Sequence, residues 1–110
     1  MHSLGRGKVI NVASVAGLRG SLNSAAYNTS KHAIVGLTRC IALENAKNGI
    51  NINAICPGIV ETDLIKGVEQ RMEAQGMPPD EFRERLLAQI PMGRFLQPEE
   101  IAHIAVFLAS

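Results

Sequence analysis

The feature that most constrains the fold is a pair of short apolar runs placed on either side of one long helical stretch. Lys8 to Ala13 (K-V-I-N-V-A) and Ile50 to Cys56 (I-N-I-N-A-I-C) are rich in β-branched residues and too short for helices. From about Tyr27 to Asn45, apolar and small residues recur at helical spacing: Ile34, Leu37 and Ile41 in one series, Ala33, Thr38 and Ala42 in another. The short runs fit buried parallel strands and the long stretch fits a helix of about five turns. Parallel strands need a long connection, usually a helix, so strand, helix and strand in this order predict one right-handed crossover of an α/β fold. Punctuation agrees with this, with Gly5 to Gly7 turning the chain into the first strand, Lys47 to Gly49 stopping the helix, and Pro57-Gly58 ending the second strand.

Past Thr62 the pattern becomes helical. Asp63 to Ala74 and Pro79 to Ala88 read as two amphipathic helices joined by Gln75 to Pro78. Gln97-Pro98-Glu99-Glu100 reads as a helix start, with Pro at the first position and acids in the first turn, leading into Ile101 to Ala109. A parallel sheet is stable when both faces are covered and its edges are paired or protected, and two strands cannot achieve that. Residues 1–110 therefore read as part of a single larger domain.

Composition removes several functions. A formal net charge of +1 lacks the basic excess that nucleic-acid phosphates demand, and with no Trp, one Tyr and three Phe there are few stacking platforms. No apolar run approaches the roughly 20 residues of a membrane span and Met1 to Gly7 lacks a signal peptide's apolar stretch, so a cytoplasmic location is expected. Cys40 and Cys56 stand apart without metal-ligand spacing and read as reduced, partly buried thiols. His2, His32 and His103 share no spacing that suggests a metal, and Asn11 and Asn53 read as backbone-bracing amides.

Chemistry gathers around Tyr27 and Lys31. Four positions apart on a helix, they lie on one face, and Ser14 sits 13 positions upstream of Tyr27 at the end of the first strand, where open α/β sheets place ligands. A phenol ionises near pH 10, so proton exchange near neutrality requires roughly 4 kcal/mol of help. One ammonium about 4 Å away supplies about 4 kcal/mol at an effective dielectric of 20 and only about 1 kcal/mol in water. The trio thus makes sense in a cleft that excludes most water, with Ser14 holding the oxygen that receives the proton.

Ser14 followed at this distance by Tyr27-x-x-x-Lys31 resembles the catalytic pattern of the short-chain dehydrogenase/reductase family. So do G-K-V-I-N-V-A-S-V-A-G (Gly7 to Gly17), A-A-Y-N-T-S-K-H-A (Ala25 to Ala33), N-I-N-A-I-C-P-G-I-V-E-T (Asn51 to Thr62) and P-M-G-R-F-L-Q-P-E-E-I-A (Pro91 to Ala102). The blocks cover nearly the whole chain in the family's order and are most similar to 3-oxoacyl-carrier-protein reductase-like members. The resemblance implies a partial Rossmann-type doubly wound sheet and NAD- or NADP-dependent interconversion of a ketone and a secondary alcohol. It implies Tyr27 as general acid or base, Lys31 on the nicotinamide ribose, Ser14 on the substrate, Pro57 and Gly58 beside the nicotinamide, and Val60 and Thr62 on its carboxamide. It also implies a small-molecule carbonyl or alcohol substrate, a homo-oligomer joined through the Tyr27 to Asn45 helix, and a substrate lid in the Lys66 to Gln89 region, lined by Met72, Met77, Phe82 and Leu86.

Read without the resemblance, Pro57-Gly58 is an ordinary turn, Thr62 an ordinary helix cap, and the Lys66 to Gln89 region a solvated face. The sequence departs from the family in lacking a T-G-x-x-x-G-x-G loop, an N-A-G motif and the catalytic-site Asn. It therefore reads as the C-terminal, active-site-bearing portion of such a domain, lacking the N-terminal strands and a final strand. Two expectations follow: a fragment of an oxidoreductase, or a non-catalytic short chain that associates with a full-length partner.

Overall fold

The computed structural model describes residues 1–110, which divide into two compact units, Met1–Pro57 with Ile101–Ser110, and Gly58–Glu100. In the first unit, strand β1 (Gly7–Val12) pairs in parallel with β2 (Ile50–Ile55), Gly7 opposite Ile50 and Val12 opposite Ile55. Helix α1 (Ala25–Asn45) connects them and packs on β2. This is the crossover that the sequence predicts.

The helix begins two residues before the predicted start. Ser24 occupies the N-cap position and its carbonyl accepts from the Asn28 amide at 2.8 Å, which draws the helix-forming Ala25 and Ala26 into the first turn. Of the two helical series in the sequence, Thr38 and Ala42 lie on the inward face of α1 and Ala33 and Leu37 do not. Asn28, Val35 and Thr38 are buried, Lys31, Ala42 and Asn45 are half-buried, and the six follow one another at alternating spacings of three and four residues. Leu37 is exposed, and Ile34 and Ile41 are half-buried.

Two polar residues can lie on that face because partners meet them. Thr38 Oγ1 accepts from Asn11 Nδ2 at 2.8 Å and donates to Ile34 O at 2.7 Å. Asn11 thus braces β1 against a side chain of α1 rather than against backbone. Ala13, Val35, Ile50 and Ile55 are the buried apolar residues of this unit, Ile55 on the opposite sheet face from Asn11. On the sheet face that carries Lys8, Val12, Asn51 and Asn53, those four residues are exposed.

Gly49 closes the helix-to-strand turn at φ +68°, its N–H donating to Ala46 O at 3.1 Å and its carbonyl accepting from Gly7 N at 3.3 Å. Glycine is required twice over, since a Cβ would stand 2.3 Å from Gly5 O. Cys40, expected to be partly buried, is exposed on α1, and Cys56 is half-buried just past β2.

In the second unit, Val60 pairs in parallel with Leu96 through Glu61 N to Leu96 O (2.8 Å) and Leu96 N to Ile59 O (2.9 Å). Helices α2 (Asp63–Ala74) and α3 (Pro79–Leu87) pack against each other, joined by a tight loop in which Gly76 has φ +90°. Met72, Met77, Phe82 and Leu86 are half-buried there. Helix α4 (Pro98–Ala109), whose residues from Ile101 onward belong to the first unit, starts at the predicted proline. Glu100, three positions into the helix, accepts from the Gln97 amide at 2.8 Å, the reach-back half of a capping box, and its carboxylate also takes two 2.8 Å bonds from Arg94. No helix is long and apolar enough to cross a membrane.

Candidate active site

Ser14 follows β1 directly and is the N-cap of a short 3-10 turn, Val15–Gly17. Its Oγ accepts from the Ala16 amide at 3.1 Å. A hydroxyl has one donor and two acceptor positions, so this bond orients Ser14 and leaves its O–H to donate elsewhere.

Three contacts fix that turn. Ala13 N donates to Ile55 O at 2.8 Å and Val15 N to Pro57 O at 2.9 Å, extending the parallel ladder past both strands and holding the Ser14 segment beside Pro57. Gly17 is buried against α1 so closely that a Cβ would lie 2.7 Å from the Lys31 carbonyl oxygen. Asn28, one residue after Tyr27 and 8% exposed, donates from Nδ2 to Arg19 O at 2.8 Å and accepts from Ser21 Oγ at 3.0 Å. The chain after Ser14 is thereby sewn onto the turns of α1 that carry Tyr27 and Lys31. Sequence reading missed Gly17 and Asn28 as positioning residues.

Tyr27 lies in the first turn of α1 and is 48% exposed, and Lys31, one turn on, is half-buried with its Nζ over the phenol ring, 5.6 Å from the centroid. The pair is close, as the spacing predicts. The water-poor cleft that its chemistry requires is not formed by these 110 residues, since about half of the tyrosine faces solvent.

Gly58, Val60 and Thr62 belong to the second unit. Because the bridge to Leu96 uses the Glu61 amide and the Ile59 carbonyl, the N–H and C=O of Val60 point to the opposite side of the segment, as in any parallel ladder. Thr62 holds the N-cap position of α2, but its hydroxyl does not cap the helix. It turns back to Val60 O at 3.4 Å. One amide donor, one carbonyl and one hydroxyl thus cluster on two residues, Val60 and Thr62, a set that matches a primary carboxamide, which offers an acceptor and two donors.

The whole chain, residues 1–110, matches the family described as enoyl-(acyl carrier protein) reductase. It is 47% identical over 106 residues to the D-beta-hydroxybutyrate dehydrogenase of Cupriavidus necator, with 94% of this chain and 41% of that protein aligned. Among solved structures it is similar to actinorhodin polyketide ketoreductase with NADPH, at 37% identity and a TM-score of 0.90, covering 98% of this chain and 42% of that one. It is also similar to NAD+-bound xylitol dehydrogenase, at 34% identity and a TM-score of 0.88, covering 100% and 45%. The chain thus spans about two fifths of the length of the relatives it matches.

Proposed function

Since the chain belongs to the short-chain dehydrogenase/reductase family, we propose that residues 1–110 form the active-site-bearing, C-terminal part of an NAD(P)-dependent oxidoreductase that interconverts a ketone and a secondary alcohol. The observation that carries this reading is the sewing of the Ser14 segment onto the α1 turns of Tyr27 and Lys31 by Gly17 and Asn28. Relatives named for a hydroxy acid, a polyketide and a polyol share carbonyl chemistry rather than one substrate. NADPH in one solved relative and NAD+ in another support a nicotinamide dinucleotide, NAD or NADP.

The nicotinamide supplies or accepts the hydride. In reduction, the Tyr27 hydroxyl gives its proton to the carbonyl oxygen, and in oxidation it takes the proton of the alcohol. Ser14 donates its unused O–H to the same oxygen and shares the charge that develops there. Lys31, whose ammonium lies over the phenol ring, would hydrogen-bond the nicotinamide ribose. Val60 and Thr62 would hold the carboxamide, and Pro57 and Gly58 would line the nicotinamide. One donor and two acceptors on Val60 and Thr62 match the needs of a primary amide, which supports this assignment.

Tyr27→Phe in the full-length oxidoreductase tests the assignment. Turnover should fall by about 100-fold or more with the circular dichroism spectrum unchanged, because the change removes a transferable proton and little packing. A variant with near-unaltered rate would remove Tyr27 as the acid/base. The helix α1 also supports association with a second copy or a full-length partner, since Leu37 and Leu43 are 57% and 81% exposed on it. The proposed location is cytoplasmic.

A further inference from the structure

The unit Gly58–Glu100 contains a cluster of charges that the proposed chemistry does not use. Arg83, in α3, donates from Nη1 to Glu61 Oε1 at 3.2 Å and to Glu69 Oε1 at 2.9 Å, and from Nη2 to Glu61 Oε2. Its guanidinium lies over the ring of Phe95, Cζ 4.6 Å from the centroid, and Phe95 is among the most buried residues of the chain. One side chain therefore joins α3, α2, the Ile59–Glu61 segment and the residue before Leu96. Its hydrogen bonds to Glu61 and then Glu69 hold the guanidinium pKa above its already high value, so the positive charge is permanent.

An ion pair on an open surface contributes little. This one is different in geometry: the side chains of Arg83, Glu61 and Glu69 are 39%, 26% and 18% exposed, and the guanidinium is held by two carboxylates and a ring at once. A planar fork gripped in this way has few other rotamers open to it. Glu61 stands between Val60 and Thr62, so whatever holds Glu61 also holds the backbone groups of its neighbours.

We propose that Arg83 is a positioning residue: its clasp on Glu61 and Glu69 fixes the Val60–Thr62 segment and makes that segment move as one body with α2 and α3. The benefit to the reaction rests on the assignment of Val60 and Thr62 to the carboxamide, whereas the clasp itself is measurable with no cofactor present.

Amide hydrogen exchange on the chain tests this, with the Glu61 and Leu96 amides as reporters because they form the bridge. Arg83→Met keeps an unbranched stem over Phe95 and removes the charge. It should accelerate exchange at both reporters about 10-fold or more while amides in β2 stay as they were. About 1 M salt should accelerate the reporters in the unaltered chain but not in Arg83→Met. Unchanged reporters in Arg83→Met, or reporters in the unaltered chain that salt leaves unmoved, would overturn the clasp and leave Arg83 as packing for Phe95. If Arg83→Met loosens the whole chain, Glu61→Gln is read instead. It leaves Arg83 on Glu69 and Phe95, and reporters that do not accelerate in it likewise overturn the proposal. Loss of the oxidoreductase reading would show in the Tyr27→Phe rates and not in these exchange rates, so the two failures are separable.

Discussion

Replacing Gly17 by Ala asks whether the Ser14 segment is held by contact with α1. The added Cβ would stand 2.7 Å from Lys31 O, and 3.0 Å from both Lys31 C and Val35 Cγ2. Ordinary contact begins at 3.4 Å, so the turn and the helix must separate by about 0.7 Å, and the nearest atoms are backbone that cannot rotate away. Overpacking of this kind costs about 1–3 kcal/mol. The lower entropy of an unfolded alanine returns about 0.4–1 kcal/mol, leaving a net loss near 1–2 kcal/mol. With a urea slope of about 1–3 kcal/mol per molar, the unfolding midpoint should fall by roughly 0.5–1 M. The assay is urea unfolding followed by circular dichroism at one fixed chain concentration. Gly20→Ala is the control, because nothing lies within 4 Å of a Cβ there, and its stability should stay level or rise by up to about 1 kcal/mol. Equal midpoints for the two variants would refute the close approach of the turn to α1. In the full-length enzyme the same displacement should lower kcat/KM by up to about 100-fold, since it moves the loop that carries Ser14.

Thr38→Val leaves the Asn11 amide without its acceptor in a mostly buried site and should cost about 1–2 kcal/mol. Adding Asn11→Ala should cost less than the sum of the two single changes, as a double-mutant unfolding cycle would show. Gly49→Ala meets both a left-handed backbone and the Gly5 carbonyl, so it should destabilise the chain by about 2 kcal/mol or more in the same urea assay. The isolated chain should associate through exposed apolar residues such as Leu37 and Leu43 of α1 and Phe107 of α4, and bind nicotinamide dinucleotides weakly or not at all. Sedimentation and cofactor titration check this. A monomer with micromolar affinity for NADH or NADPH would refute it, and Leu37→Glu with Leu43→Lys should reduce association if α1 is the contact.

The sequence alone determined the order and kind of the elements. Lys8 to Ala13 and Ile50 to Cys56 became β1 and β2 almost to the residue, and Asp63, Pro79 and Pro98 start helices where caps, prolines and acids mark them, because those signals act within a turn or two of chain. The spacing of Tyr27 and Lys31 on one helix face was likewise legible, being a property of the helix itself. Which face of α1 turned inward was not. Leu37 stood in one series and Thr38 in the other, and it is Thr38 that is buried, together with Asn28, which stood in neither, because Asn28 meets Arg19 O and Ser21 across a loop and Thr38 meets Asn11, 27 positions away. A buried polar group is tolerated only when a partner satisfies it, and that partner is supplied by the fold rather than by neighbouring residues. The same holds for Arg83, which reads as one charge on a solvated helix until folding brings Glu61, from 22 positions earlier, and the ring of Phe95 against it. Tyr27 shows the reverse case. Its residue type and spacing call for a cleft with little water, and only the tertiary structure shows that these 110 residues leave it about half exposed.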